Sequence, residues 1–194
     1  VRIPPPYDKW EDILTLDYGR DIFDLDISPD GSTMICSMIE ISGEQKLIRL
    51  DVQALREKKS TFDVLHVFPN SSPENFVFSR DGQHLFGSSY YTGVSNVWRY
   101  DLGARKMEAV TNVESGLFRP IQVDSDTLLA YRFTSTGFAP VTIPNETRED
   151  INAVRYLGQQ VVEAQPVVKT WIAGSPARVD LDKVTTYAGE YKPL

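Results

Sequence analysis

The chain has 194 residues, 41% of them apolar and 24% charged, with a net charge of −7. That balance suits one folded domain, with or without an appendage, and excludes nucleic-acid binding, which needs a basic stripe that is absent. A single cysteine rules out an internal disulfide, and no run approaches the ~18 apolar residues of a membrane-spanning helix.

Residues 1–18 read as an extended arm. The run Pro4-Pro5-Pro6 favours an open extended helix, and Tyr7, Trp10, Ile13 and Leu16 offer apolar groups to dock it. The alternative is a proline-rich ligand for a recognition module. A start at Val1 rather than methionine is expected of a piece cut from a longer polypeptide.

From Ile22 the pattern changes to period two. Phe23, Leu25 and Ile27 alternate with Asp24 and Asp26, which predicts a half-buried strand. Asp30-Gly31 follows as a turn in which glycine takes positive φ without steric cost. Strands are predicted at 33–41, 46–52 and 62–68, with a short helical excursion at 53–60. Cys36 falls inside the first of these and reads as a small buried hydrophobe.

The order then repeats, with strands at 74–79, 84–90, 96–102 and 107–112. Gly87, Ser88 and Ser89 make one of them small-sided, as suits a crowded axis where backbones approach closely. A third set starts at Phe118, where 122–126 occupies the place of the turn without its glycine. Strands follow at 128–133 and 138–143, although Pro140 removes a ladder donor from the last. Beyond it a strand at 152–157, a short helix at 159–165 and an irregular tail over 158–194 are expected, the tail leading into a module not present here.

The turns Ser28-Pro29-Asp30-Gly31 and Ser79-Arg80-Asp81-Gly82 lie 51 residues apart, and the closing aspartates Asp51 and Asp101 lie 50 apart. A repeat of that length built from short strands means propeller blades or a similar β-array. The predicted fold is therefore all-β: three four-stranded antiparallel blades of an incomplete β-propeller, at about 19–68, 69–112 and 113–157. Three blades cannot close a ring, since propellers have ~4–8. Either further blades lie outside this chain or copies complete one another through open blade edges, a route to self-association.

Ser-Pro-Asp-Gly, an apolar strand, and a loop ending in Gly93-Val94-Ser95-Asn96 before Val97-Trp98-Arg99-Tyr100-Asp101-Leu102 resemble the TolB-type, or PD40, β-propeller repeat. The first set lacks the glycine–asparagine loop and the third lacks the Asp-Gly turn. The resemblance implies a noncatalytic propeller segment of a larger bacterial envelope or periplasmic protein, acting as a scaffold for a protein or peptide partner. Its alternative is a substrate-filtering propeller of a peptidase whose catalytic domain lies elsewhere.

The residues themselves offer little chemistry. No Gly-x-Ser-x-Gly elbow occurs, and only His66 and His84 are available as bases. Asp24, Asp26 and Asp30, and separately Asp124 and Asp126, carry oxygen ligands suited to calcium, but acids at outward strand positions are equally a solvated face. Two histidines and one cysteine make no zinc site, and no phosphate loop is present, so no cofactor is expected. A third reading places a small molecule or calcium in a central channel. Asn70 and Asn145 open glycosylation triplets.

Any binding face should be built from loops at one rim, at 42–45, 70–73, 91–95, 113–117 and 134–137. Tyr91 borders one of these loops. Arg119 and Arg132 flank others and suit an acidic or carboxylate-bearing partner, unless neighbouring acids already pair with them.

Overall fold

A computed structural model describes residues 1–69 and 71–149, together with Ala164, Gln165 and Val167. Among the described residues eleven strands fall into three antiparallel sheets. The first runs β1 (Asp21–Ile27), β2 (Thr33–Ile39), β3 (Gln45–Asp51) and β4 (Phe62–Phe68), with helix α1 (Val52–Arg56) between the last two. The second runs β5 (Pro73–Phe78), β6 (His84–Ser89), β7 (Asn96–Asp101) and β8 (Lys106–Ala109). The third holds β9 (Leu117–Gln122), β10 (Thr127–Thr134) and β11 (Gly137–Pro144), three strands among the described residues. These are blades of a partial β-propeller. The strand expected at 152–157, and nearly all of 158–194 with its expected helix, lie outside the described residues.

Strand alternation divides each blade into two faces, and the cores follow that division. Ile35, Leu47 and Leu65 of the first blade meet Phe76, Leu85, Trp98 and Tyr100 of the second. On the opposite face of the second blade, Phe86, Val97 and Val110 meet Leu117, Leu128 and Ala130 of the third. The remaining face of the first blade, with Cys36, Met38, Ile48 and Leu50, is covered by Leu55 of α1 and by Ile13, Leu14 and Leu16. Tyr7 and Trp10 stay exposed, Trp10 at 78%. Residues 2 and 11 pair antiparallel, and Tyr7 N–H donates to the Pro4 carbonyl, so the proline run turns back where its composition alone implied an extended segment.

The Asp-Gly turns are closed by their own side chains. Asp30 accepts from the Ser28 hydroxyl and the Ser32 N–H, and Asp81 accepts from the Ser79 hydroxyl and the Gln83 N–H. Gly31 and Gly82 sit at φ 73° and 69°, the left-handed conformation the turn requires. The asparagine of the second blade's loop is equally purposeful. Asn96 is fully buried; its amide donates to Thr92 Oγ1, and its carbonyl accepts from the Thr111 hydroxyl and the Val113 N–H. Pro140 is accommodated because β11 forms the edge of its sheet.

The first strand of every blade departs from simple pleating at the same place. Register shifts occur between Phe23 and Asp26, between Glu74 and Val77, and opposite Leu129 and Tyr131, where Phe118 and Ile121 flank the extra residue. Each bulge holds one non-glycine residue in the left-handed region: Asp24 at φ 52°, Asn75 at 52° and Arg119 at 50°. At β1 the bulge inverts the expected alternation. Leu25 and Ile27 turn outward while Asp24 and Asp26 turn inward, contrary to the solvated face read from the period-two pattern.

Those two acids latch the blades together. Asp24 Oδ2 accepts from the Asn75 N–H at 2.7 Å, and Asp26 Oδ2 accepts from the Phe78 N–H at 2.7 Å. Gln122 Oε1 of the third blade accepts from the Arg80 N–H at 2.9 Å, and Tyr100 donates its hydroxyl to the Leu65 carbonyl at 2.9 Å. Edge strands β1, β5 and β9 thus lie side by side as the inner strands of the array.

Candidate functional site

Where the three inner strands meet, a cleft of about 680 Å³ opens. Phe23 and Asp24 come from β1, Glu74 and Asn75 from β5, Phe118 and Arg119 from β9, and Tyr131 and Phe138 from β10 and β11. All three left-handed bulge residues line it, because a bulge re-aims its side chain away from the pleat.

The aromatic wall is braced by its own contacts. Phe118 and Phe138 meet edge to face at 5.3 Å and 89°, Phe133 meets Phe138 at 5.5 Å, and Tyr90 meets Phe118 at 6.2 Å. Phe138 is 60% exposed and Tyr131 40%, a large apolar offering to solvent. Asp24 and Glu74 add two acids to the lining. Burial raises the Glu74 carboxyl above its ordinary range, and neighbouring Asp24 adds to the effect. Arg119 is exposed and carries no ion pair or side-chain hydrogen bond among the described residues.

The three sequence-derived binding residues separate in space. Arg119 lines the inner cleft. Tyr91 stands edge-on to Trp98 at 5.5 Å and borders a different groove, of about 370 Å³, with His66, Phe68, Pro69 and Met107. Arg132 lies on β10 opposite Leu117 and Ala139, exposed and lining neither opening. Among the described residues no acid pairs with Arg119 or Arg132, so the neighbouring-acid alternative is not what the geometry displays.

Sequence reading missed Phe23, Glu74, Asn75, Tyr131 and Phe138 as cleft residues. A usable signal was present: Asp24 and Asn75 each stand six residues before the turn aspartate of their blade. Aligning the third set on Phe118 would have placed Arg119 beside them.

Other candidate groups are occupied structurally. Asp24 and Asp26 hold the next blade, and hydrogen bonds from Ser28 and Ser32 hold the Asp30 carboxyl down at about 2. Asp124 accepts from the Asp126 N–H within its own turn. His66 packs edge-on against Phe68 at 4.7 Å, and burial lowers its basicity. His84 Nε2 lies 3.6 Å from Asp101. Among the described residues neither ring hydrogen-bonds a hydroxyl or thiol, and no group of three or more His, Cys, Asp or Glu side chains is placed to hold a metal. No helix among them is long and apolar enough to cross a membrane.

No protein-family model matches the sequence. No curated protein matches it either. Solved structures do match the fold. A TolB-like structure from Agrobacterium tumefaciens superposes with a TM-score of 0.50 at 15% identity, over 68% of this chain and 53% of that one. An oligogalacturonate lyase from Vibrio parahaemolyticus gives 0.53 at 12% identity, over 72% of this chain and 39% of the lyase. A puromycin hydrolase gives 0.52 at 13% identity, over 69% and 23%. This chain spans about half or less of each of these proteins. At such identities the likeness speaks to architecture alone, and the architecture is that of several blades of a TolB-like β-propeller.

Proposed function

We propose that this chain is a noncatalytic propeller segment of a larger bacterial protein, and that it recognises a protein or peptide in the cleft between its inner strands. The observation that carries this reading is the cleft itself: exposed, braced aromatic side chains beside an unpaired arginine, on rigid strands latched across blades. Aromatic and arginine side chains are the groups that most often anchor such contacts. An envelope or periplasmic setting belongs to the same reading and rests on the TolB-like fold.

Binding of a fluorescein-labelled random hexapeptide pool, followed by anisotropy, tests it. Wild type binds, and a Tyr131→Ala/Phe138→Ala variant with an unchanged melting temperature does not. Equal binding by the two proteins counts against the cleft.

A second reading makes the segment the substrate-positioning propeller of a peptidase whose catalytic module lies outside this chain. It rests on the likeness to a puromycin hydrolase and uses the same cleft. A nucleophile elbow elsewhere in the parent polypeptide would favour it. Separately, β11 is an open sheet edge among the described residues, and light scattering across a concentration series reports whether copies pair there.

A further inference from the structure

The inner cleft carries one arginine and two acids beside its aromatic side chains, and that combination specifies more than a generic peptide. Of the ten arginines among the described residues, Arg2, Arg20, Arg49, Arg99 and Arg105 are ion-paired, while Arg56, Arg80, Arg132 and Arg148 are not, and none of these nine lines the inner cleft. Arg119 does line it, and is paired with neither Asp24 nor Glu74, which line the same cleft. Its backbone is also unusual. The left-handed bulge position holds aspartate in the first blade and asparagine in the second, residues that tolerate that conformation. Arginine there bears a conformational cost, and it lines the same cleft as Phe118, Tyr131 and Phe138.

We propose that, within the peptide-binding reading above, the cleft takes the C-terminal carboxylate of a peptide ending in an aromatic or large aliphatic residue. Arg119 holds the carboxylate, the Phe118–Phe138 wall takes the last side chain, and Asp24 and Glu74 face the peptide's N–H groups. A terminal residue is the form of carboxylate that fits, because charge and apolar side chain leave the same carbon, and Arg119 and the aromatic rings line one cleft. A planar guanidinium grips a carboxylate with two parallel hydrogen bonds. The acids on β1 and β5 repel a second carboxylate, which disfavours acidic residues just before the terminus.

Isothermal titration calorimetry on the full chain with three peptides tests this: Ac-Ala-Ala-Phe with a free carboxylate, its C-terminal amide, and Ac-Ala-Glu-Phe amide. The free acid should bind about tenfold or more tighter than either amide, as expected for a charge-assisted pair. Arg119→Gln should bind acid and simple amide alike. Arg119→Asn should do the same while melting at or above the wild-type temperature, since asparagine suits the left-handed backbone. Phe138→Ala should weaken all three peptides.

Equal wild-type affinity for acid and amide, with Phe138→Ala still weakening both, overturns the terminal-carboxylate assignment and leaves the cleft reading standing. A glutamate-bearing amide as tight as the free acid also overturns it, moving the contact to a side chain. No binding by any of the three peptides overturns the assignment together with the reading beneath it.

Discussion

Gly87 lies on β6 opposite Trp98, at the point where β5 bulges, and a side chain there has nowhere to go. A Cβ at this position would stand 2.3 Å from two carbons of the Phe76 ring. Ordinary carbon contact is about 3.5 Å, so the ring would have to retreat by roughly 1.2 Å. Phe76 is only 1% exposed, packed among Leu85, Trp98 and Tyr100 and edge-on to Phe68 at 6.1 Å, so no free volume receives it. Gly87→Ala should therefore cost about 3 kcal/mol, the upper end for overpacking a well-filled core. In a chain of this size that is a fall of roughly 6–12 °C in melting temperature. Urea denaturation gives the free energy and calorimetry the midpoint. Phe76→Leu in the Gly87→Ala background should recover about 1 kcal/mol or more relative to the sum of the single changes. A Gly87→Ala protein within about 0.5 kcal/mol of wild type, or additive single changes, would refute the close approach of β5 and β6.

Asn96→Ala strands the buried Thr111 hydroxyl and the half-buried Val113 N–H, and should cost about 3 kcal/mol by urea denaturation; a loss below about 1 kcal/mol contradicts a fully used side chain. Glu74 titrates above its ordinary 4.5 in the fold because it is buried near Asp24. The folded state thus holds an extra proton between 4.5 and the raised value, and loses stability as pH rises through that window. Glu74→Gln should melt higher than wild type at pH 7, with the gap closing as pH falls toward 4.5; a gap independent of pH is the contrary result. Cys36 is fully buried with its thiol pushed up to about 12, so a disulfide reagent should modify it only at the rate of unfolding. Immediate reaction in native buffer would place it elsewhere.

What the sequence disclosed was local. Asp30-Gly31 and Asp81-Gly82 act through side chains two residues away, so spacing alone located the turns and, with them, the blades. Asn96 was legible as part of a motif, and its purpose, satisfying Thr111 and Val113, came only from the fold. The inner cleft was hidden for a physical reason. A bulge breaks the two-residue period that makes strands readable, so Asp24 and Asp26 read as solvent-facing when they grip the next blade. Tyr91 and Arg119 read as neighbours on one rim because both flank loops, whereas Tyr91 packs on Trp98 beside a different groove from the cleft that Arg119 lines. Trp10 was read as a docking group, but the apolar face of the first blade is filled by Ile13, Leu14 and Leu16.

The central claim is that recognition occurs where the three bulges converge. A ¹H–¹⁵N NMR titration of the full chain with free-acid Ac-Ala-Ala-Phe examines it most directly. The account predicts shift changes concentrated at Asp24, Glu74, Asn75, Arg119 and Tyr131, on three separate blades at once. Changes confined to His66, Tyr91 and Trp98, or no changes at saturating peptide, would contradict it.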